Sequence, residues 1–246
     1  MNRIKKYKLK GIFILFIVCA WLFLVIVTMR QVKTVDAWRD FRTLLGGKET
    51  VIDGVTDHTM AYMITSKEGR PDYGDTLVIF QKELDGIWRR IYDNDFSGLK
   101  PWKIVLSDID GEGKKEIITA VRKTTRFDKK LKNRLFAFNY MEGKLVKKWT
   151  GSEVGGDWKE FITGDLVSTK GNELIFISKT KGGERVNVYY WFNFGFMMLA
   201  QSKDYESICN ISIKGENRLR MTYKKGHKEY QITLKAKDGE LEEVTN

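Results

Sequence analysis

Two periodicities divide this chain. Gly11–Met29 is a run of nineteen residues without a charge, whereas from about Glu49 onward apolar residues gather in short runs broken by polar turns that carry a glycine. The first pattern suits a single apolar helix and the second suits strands. Between them Val35, Trp38, Phe41 and Leu45 fall at helical spacing, with Gly46 and Gly47 after them as a stop. A short amphipathic helix is expected there, capping or supporting the strand region.

The strand region repeats. Glycine turns at Asp85-Gly86, Glu142-Gly143, Phe194-Gly195 and Asp238-Gly239 are spaced 57, 52 and 44 residues apart. A period near fifty points to one supersecondary block used several times. Before each turn lies an apolar run (Leu77–Phe80, Leu135–Phe138, Val186–Phe192, Tyr230–Leu234), and another comes after it (Ile87–Ile91, Leu145–Trp149, Phe196–Ala200, Leu241–Val244). Two further runs precede these in every unit. The first set is Val51–Val55, Ile104–Ser107, Phe161–Gly164 and Ile208–Ile213; the second is Met60–Thr65, Ile117–Val121, Leu174–Ser178 and Leu219–Tyr223. Each unit therefore reads as four antiparallel strands. The expected fold is all-β: a propeller-like array of about four four-stranded repeats over residues 49–246, behind one N-terminal transmembrane helix.

At 1.5 Å per residue the apolar run spans roughly 28 Å, close to a hydrocarbon core of about 30 Å. It exceeds the ~7–15 residues of a cleaved signal peptide, and Trp21, Leu22 and Phe23 come directly after the nearest small residue. An uncleaved signal anchor is expected. Arg3, Lys5, Lys6, Lys8 and Lys10 precede the span, against Arg30 and Lys33 just beyond it. That asymmetry predicts a single-pass protein of the cell membrane with a cytoplasmic N-terminus. The expected organisation is a basic tail (1–10), an anchor (11–29), a stalk (30–48) and an extracytoplasmic β domain (49–246).

Charge changes the picture little. Of the net +11, five positive charges lie in the first ten residues, leaving +6 for the rest. A modest excess of this size favours anionic surroundings, such as lipid head groups or an anionic glycopolymer, without specifying them. Cys19 and Cys209 are too distant in character to form a staple, one lying inside the anchor and one inside a strand.

The segment D-I-D-G-E-G-K-K-E-I, Asp108–Ile117, resembles the turn of an integrin-type propeller repeat, the FG-GAP or VCBS family. A second segment, D-L-V-S-T-K-G-N-E-L from Asp165, keeps the ends and one glycine, and the other two units lack the loop. The resemblance implies a propeller and a calcium loop. Asp108, Asp110 and Glu112 would offer side-chain oxygens, Lys114 its backbone carbonyl, and Glu116 the closing carboxylate. Read from the residues alone, Asp108 and Gly111 can also simply build a tight turn. Such propellers usually have more than four blades. An open arc, a four-bladed ring and an oligomer that completes the array all remain open.

Enzyme signatures are missing. His58 and His227 belong to no metal pattern, and neither a nucleophile elbow nor a phosphate loop occurs. Carboxylate catalysis on glycans, as hydrolase or lyase, needs only two acids brought together, and Asp157 with Glu160 or Asp93 with Asp95 are the candidates. The aromatic run containing Tyr189, Tyr190, Trp191, Phe192 and Phe194 is a candidate partner surface if exposed. Basic loops such as Lys129–Arg134 read as solvated charge, and nucleic acid is not expected. The expected function is non-catalytic: a membrane-anchored recognition or scaffold module for an envelope protein or polymer.

Overall fold

The alternation of apolar and polar residues becomes sixteen strands in the computed structural model, which describes residues 38–67, 69, 72–151, 153–167 and 169–244. Contacts divide the chain into Met1–Lys48 and Glu49–Asn246. The described part of the first unit contains one short helix, α1 (Arg39–Arg42). Among the described residues no helix is long and apolar enough to cross a membrane, and the predicted span Gly11–Met29 lies outside them.

The second unit is four consecutive antiparallel meanders. The first is β1 (Thr50–Asp57), β2 (Met60–Ser66), β3 (Thr76–Lys82) and β4 (Trp88–Asp95). The second is β5 (Pro101–Ser107), β6 (Glu116–Lys123), β7 (Lys132–Met141) and β8 (Lys144–Thr150). The third is β9 (Trp158–Gly164), β10 (Glu173–Thr180), β11 (Gly183–Phe192) and β12 (Gly195–Gln201). The fourth is β13 (Ser207–Ile213), β14 (Leu219–Lys225), β15 (Lys228–Lys237) and β16 (Glu240–Val244). Each of the sixteen predicted runs coincides with a strand, with Ile87 alone lying one residue before its strand begins.

Burial explains which strands lie where. The second strands β6 and β10 are buried over six successive residues, as expected of strands covered on both faces. The outermost strands β4 and β8 are largely exposed and charged, which discourages further pairing along their edges. Three apolar cores fill the spaces between neighbours. One joins the first and second meanders through Ile64, Ile79, Ile104 and Phe138. The next joins the second and third through Ile118, Trp158, Phe161 and Phe176. The last joins the third and fourth through Ile177, Val186, Ile208 and Met221.

Polar contacts link the first strands in sequence. Asp53 Oδ2 on β1 accepts from Ile104 N on β5 at 2.8 Å. Lys103 on β5 donates to Phe161 O at 2.7 Å and to Glu160 at 2.5 Å on β9. Lys159 on β9 donates to Ile208 O on β13 at 2.8 Å and to Glu184 at 2.6 Å. Burial raises the Asp53 carboxyl above its usual range, only partly offset by the Ile104 N–H and Lys103. Among the described residues no hydrogen bond or ion pair joins the fourth meander to the first.

Two details depart from the sequence reading. The third and fourth meanders are not separate sheets: β12 and β16 pair in parallel at Gln201 and Glu240, giving one eight-stranded sheet. With β9 and β13 side by side at its other ends, that sheet is a nearly closed barrel around a shared core. The turn of the third meander is Asn193-Phe194, one residue earlier than predicted, because Phe192 pairs with Gly195. Asn193 supplies the positive φ, 56°, that such two-residue turns require.

Candidate functional site

The connection between β5 and β6 builds itself from short polar side chains. Asp108 accepts from Glu112 N at 3.1 Å and Gly113 N at 2.9 Å, one with each carboxylate oxygen. Asp110 Oδ1 accepts from Glu112 N at 3.1 Å. Gly111 and Gly113 turn the backbone with φ of 68° and 80°. At the far end Glu116 is buried, and its Oε2 accepts from Ile109 N at 3.0 Å. Carboxylate oxygens of Asp108, Asp110 and Glu116 thereby come within 4.8 Å of one another. Glu112 and Lys114, the other two predicted ligands, are exposed and lie outside that group.

A lysine from elsewhere in the chain completes the cluster. Lys148 on β8 donates to Glu116 Oε1 at 2.7 Å and also to Asp110 Oδ2. Its side chain is 14% exposed, against 8% and 2% for the two acids, so the pair of contacts is largely shielded from water. Trp191 on β11 covers it, with Lys148 Nζ 5.6 Å from the ring centre. Burial opposes charge on Asp110, yet the bonds from Lys148 and from Glu112 N hold its pKa below the usual range. Burial likewise opposes charge on Lys148, and its bonds to Asp110 and Glu116 hold its pKa above the ordinary value.

Every oxygen of the three acids already accepts a hydrogen bond. A calcium ion bridging Asp110 and Glu116 would share their gap with an ammonium group, which like-charge repulsion forbids in a shielded site. With Lys148 in place the cluster does not fit calcium. The corresponding loop between β9 and β10 shows what the closing acid does without a cation. Glu173 Oε2 accepts from Leu166 N at 2.8 Å and Oε1 from the Thr169 hydroxyl at 2.6 Å. Loop closure is thus common to both meanders, and Lys148 stands where the third has a threonine hydroxyl.

The aromatic run separates by face. Tyr189 and Trp191 turn inward: Tyr189 meets Phe176 edge-on at 5.8 Å and Trp191 meets Phe196 at 5.1 Å. Phe192 and Phe194 are 51% and 87% exposed, and Tyr190 lies beside Phe192 and the Met197 sulfur. Met197 and Met198 on β12, not among the predicted partner residues, are both half exposed, but only Met197, paired with Tyr190, shares that face; Met198 pairs with inward-turned Tyr189. The surface available to a partner is therefore Tyr190, Phe192, Phe194 and Met197. A methionine opposite an aromatic strand was the signal that could have found Met197.

Three of the four carboxylates considered for glycan chemistry have other partners. Glu160 binds Lys103, Asp93 lies 3.3 Å from Arg90, and Asp95 accepts from Ser97 N at 2.8 Å. His58 and His227 fall in the two-residue turns β1–β2 and β14–β15.

No family model matches the chain, and no curated protein matches it. A solved structure of a candidate 6-phosphogluconolactonase from Bacteroides uniformis is similar to it, with 14% identity and a TM-score of 0.48. The match covers 80% of this chain and 54% of that one, so the chain spans about half the length of the solved structure. A likeness this slight says nothing about the chemistry of the present chain.

Proposed function

We propose that this chain is a membrane-anchored, extracytoplasmic recognition or scaffold module. In this reading Gly11–Met29 holds it in the membrane, and Glu49–Asn246 is a divergent propeller-like array that presents the β11–β12 hairpin to an envelope protein. The observation that carries the proposal is the hairpin surface. Four large apolar or aromatic side chains, Tyr190, Phe192, Phe194 and Met197, are gathered within eight residues, three of them exposed. Contiguous apolar surface of this kind marks interaction sites, and methionine with aromatics suits a protein partner. The acidic loop serves this module as a metal-free brace, with Lys148 as its cation.

The test is a photo-crosslinking phenylalanine at position 194 in the full chain, within its native membrane, with the same group at exposed Tyr230 as control. One discrete light-dependent protein adduct from position 194, lost in Met197→Ser, is expected. Adducts identical to those from position 230, or adducts with lipid alone, would remove the hairpin as a docking surface. An adduct of twice the chain's mass would make the partner a second copy.

A further inference from the structure

We propose that a cleft crossing the first three meanders binds an anionic carbohydrate, a sugar chain bearing carboxylate or phosphate groups. The cleft lies where β5 and β9 begin and β6 ends, so it opens at the opposite end of these strands from the acidic loops. Its volume of about 590 Å³ falls within the range of ligand pockets. It shares no residue with the β11–β12 hairpin, so its failure would leave the proposed docking surface untouched.

The lining is an electropositive rim around aromatic rings. Lys100, Arg122 and Lys159 contribute cations, Tyr73 and Trp102 contribute rings, and Asp72 is the one carboxylate. Lys159 is already engaged by Glu184 and Ile208 O. Lys100 and Arg122 differ: among the described residues neither has a carboxylate partner. Two such cations on one cleft, set beside aromatic rings, are the feature that points to an external anion.

The backbone fixes those two cations together. Arg122 N donates to Leu99 O at 3.0 Å and Lys100 O at 3.1 Å, and Gly74 N to Pro101 O at 2.7 Å. Lys100 is held there with φ of 51°, a conformation that costs a non-glycine residue energy. Its ammonium lies 5.2 Å from the centre of the Tyr73 ring. Trp102 packs against Trp158 at 6.0 Å and remains only half-buried, which leaves ring surface for a sugar face. Asn133 Nδ2 donates to Trp158 O at 2.8 Å, so its side-chain carbonyl is the group left to accept from a hydroxyl. Arg122 would take the anionic group in its planar fork, with Lys100 as a second charge.

Calorimetric titration of the full 246-residue chain in detergent micelles tests this, with tetragalacturonate, an oligo(glycerol phosphate) and neutral cellotetraose as probes. Binding of at least one anionic probe is expected, weakening with added salt, and none of the neutral one. Arg122→Gln and Lys100→Gln should each weaken it about tenfold, while Lys237→Gln, an equal charge loss on the fourth meander, leaves it unchanged. Which probe binds separates carboxylate from phosphate as the source of the anion. No binding by either anionic probe would overturn the proposal. So would binding that Lys237→Gln weakens as much as Arg122→Gln, when all variants melt like the parent.

Discussion

Lys148 shows how one side chain decides what a loop can do. Removing it as Lys148→Ala leaves Asp110 and Glu116 as shielded, uncompensated anions, a loss of about 3–5 kcal/mol for a broken buried pair. In a chain of this size that corresponds to a melting temperature lower by roughly ten degrees. The same change empties the gap between the acids and restores an all-oxygen site. Millimolar calcium should therefore raise the melting temperature of Lys148→Ala by several degrees and leave the parent chain unmoved. A calcium-dependent rise in the parent would refute the lysine brace. No rise in the variant would reduce the three acids to turn-builders. The acidic half of this cluster was legible in the sequence, because D-x-D-G-x-G and the later Glu116 lie close together along the chain. Lys148 was not, for a reason of register. The β7–β8 ladder passes from Ala137–Trp149 to Phe138–Lys147, so Lys148 is the extra residue of a bulge. Without the bulge, alternation along Leu145–Trp149 would place Lys148 on the same face as exposed Val146. The neighbouring Lys115 turns away from the cluster and reaches Asp57 on the first meander at 3.0 Å.

At the scale of elements, the loops after each first strand lock neighbouring meanders together. Asn172 donates to Asp108 O at 2.8 Å and to Ser107 Oγ at 3.0 Å, and Asn217 N donates to Leu166 O at 2.6 Å. Lys115 and Asp57 make the matching contact one meander earlier, so each loop reaches back to the one before it. Glycine makes the closest of these approaches possible. A methyl group on Gly171 would strike the Ile109 carbonyl and lie 2.7 Å from the Gly111 nitrogen, both backbone positions that cannot rotate aside. Gly171→Ala should therefore cost about 1–3 kcal/mol, the range for overpacking, seen as a lower urea midpoint with an unchanged slope. An unchanged midpoint would mean the two loops separate freely. The degraded third loop kept this glycine for packing against its neighbour, which its sequence alone did not distinguish from a turn. Strand positions were legible throughout, because β2, β3, β6 and β10 are continuous apolar runs and the turns carry positive-φ residues. The β12–β16 pairing was not, since it rests on a single residue pair, Gln201 with Glu240, and leaves no periodic trace.

Across the whole second unit, stability is organised by neighbours, as in a repeat array, but the links are unequal. The first meander is tied to the second by a core, by Asp53 with Ile104 N and by Lys115 with Asp57. The third and fourth share a core and also one continuous sheet. Local opening should track that difference. Lys159→Met strands Glu184, 13% exposed, without its cation. A loss of about 3 kcal/mol from a broken shielded pair raises exchange through opening by roughly a hundredfold. Hydrogen exchange measured by mass spectrometry should show this rise together across residues 158–244, because the barrel-like sheet cannot open on one side only. Asp53→Ala removes the acceptor for Ile104 N, and its rise should be confined to residues 50–150. If Lys159→Met loosened the fourth meander alone, β12 and β16 would be touching without transmitting stability. The two halves would then behave as independent units despite their common sheet. A rise confined to 158–244 for Lys159→Met, beside one confined to 50–150 for Asp53→Ala, would place the mechanical break between the second and third meanders. That boundary runs through the proposed anion cleft, whose Arg122 and Lys159 stand on opposite sides of it, so a bound ligand would join the two halves and suppress the exchange of both.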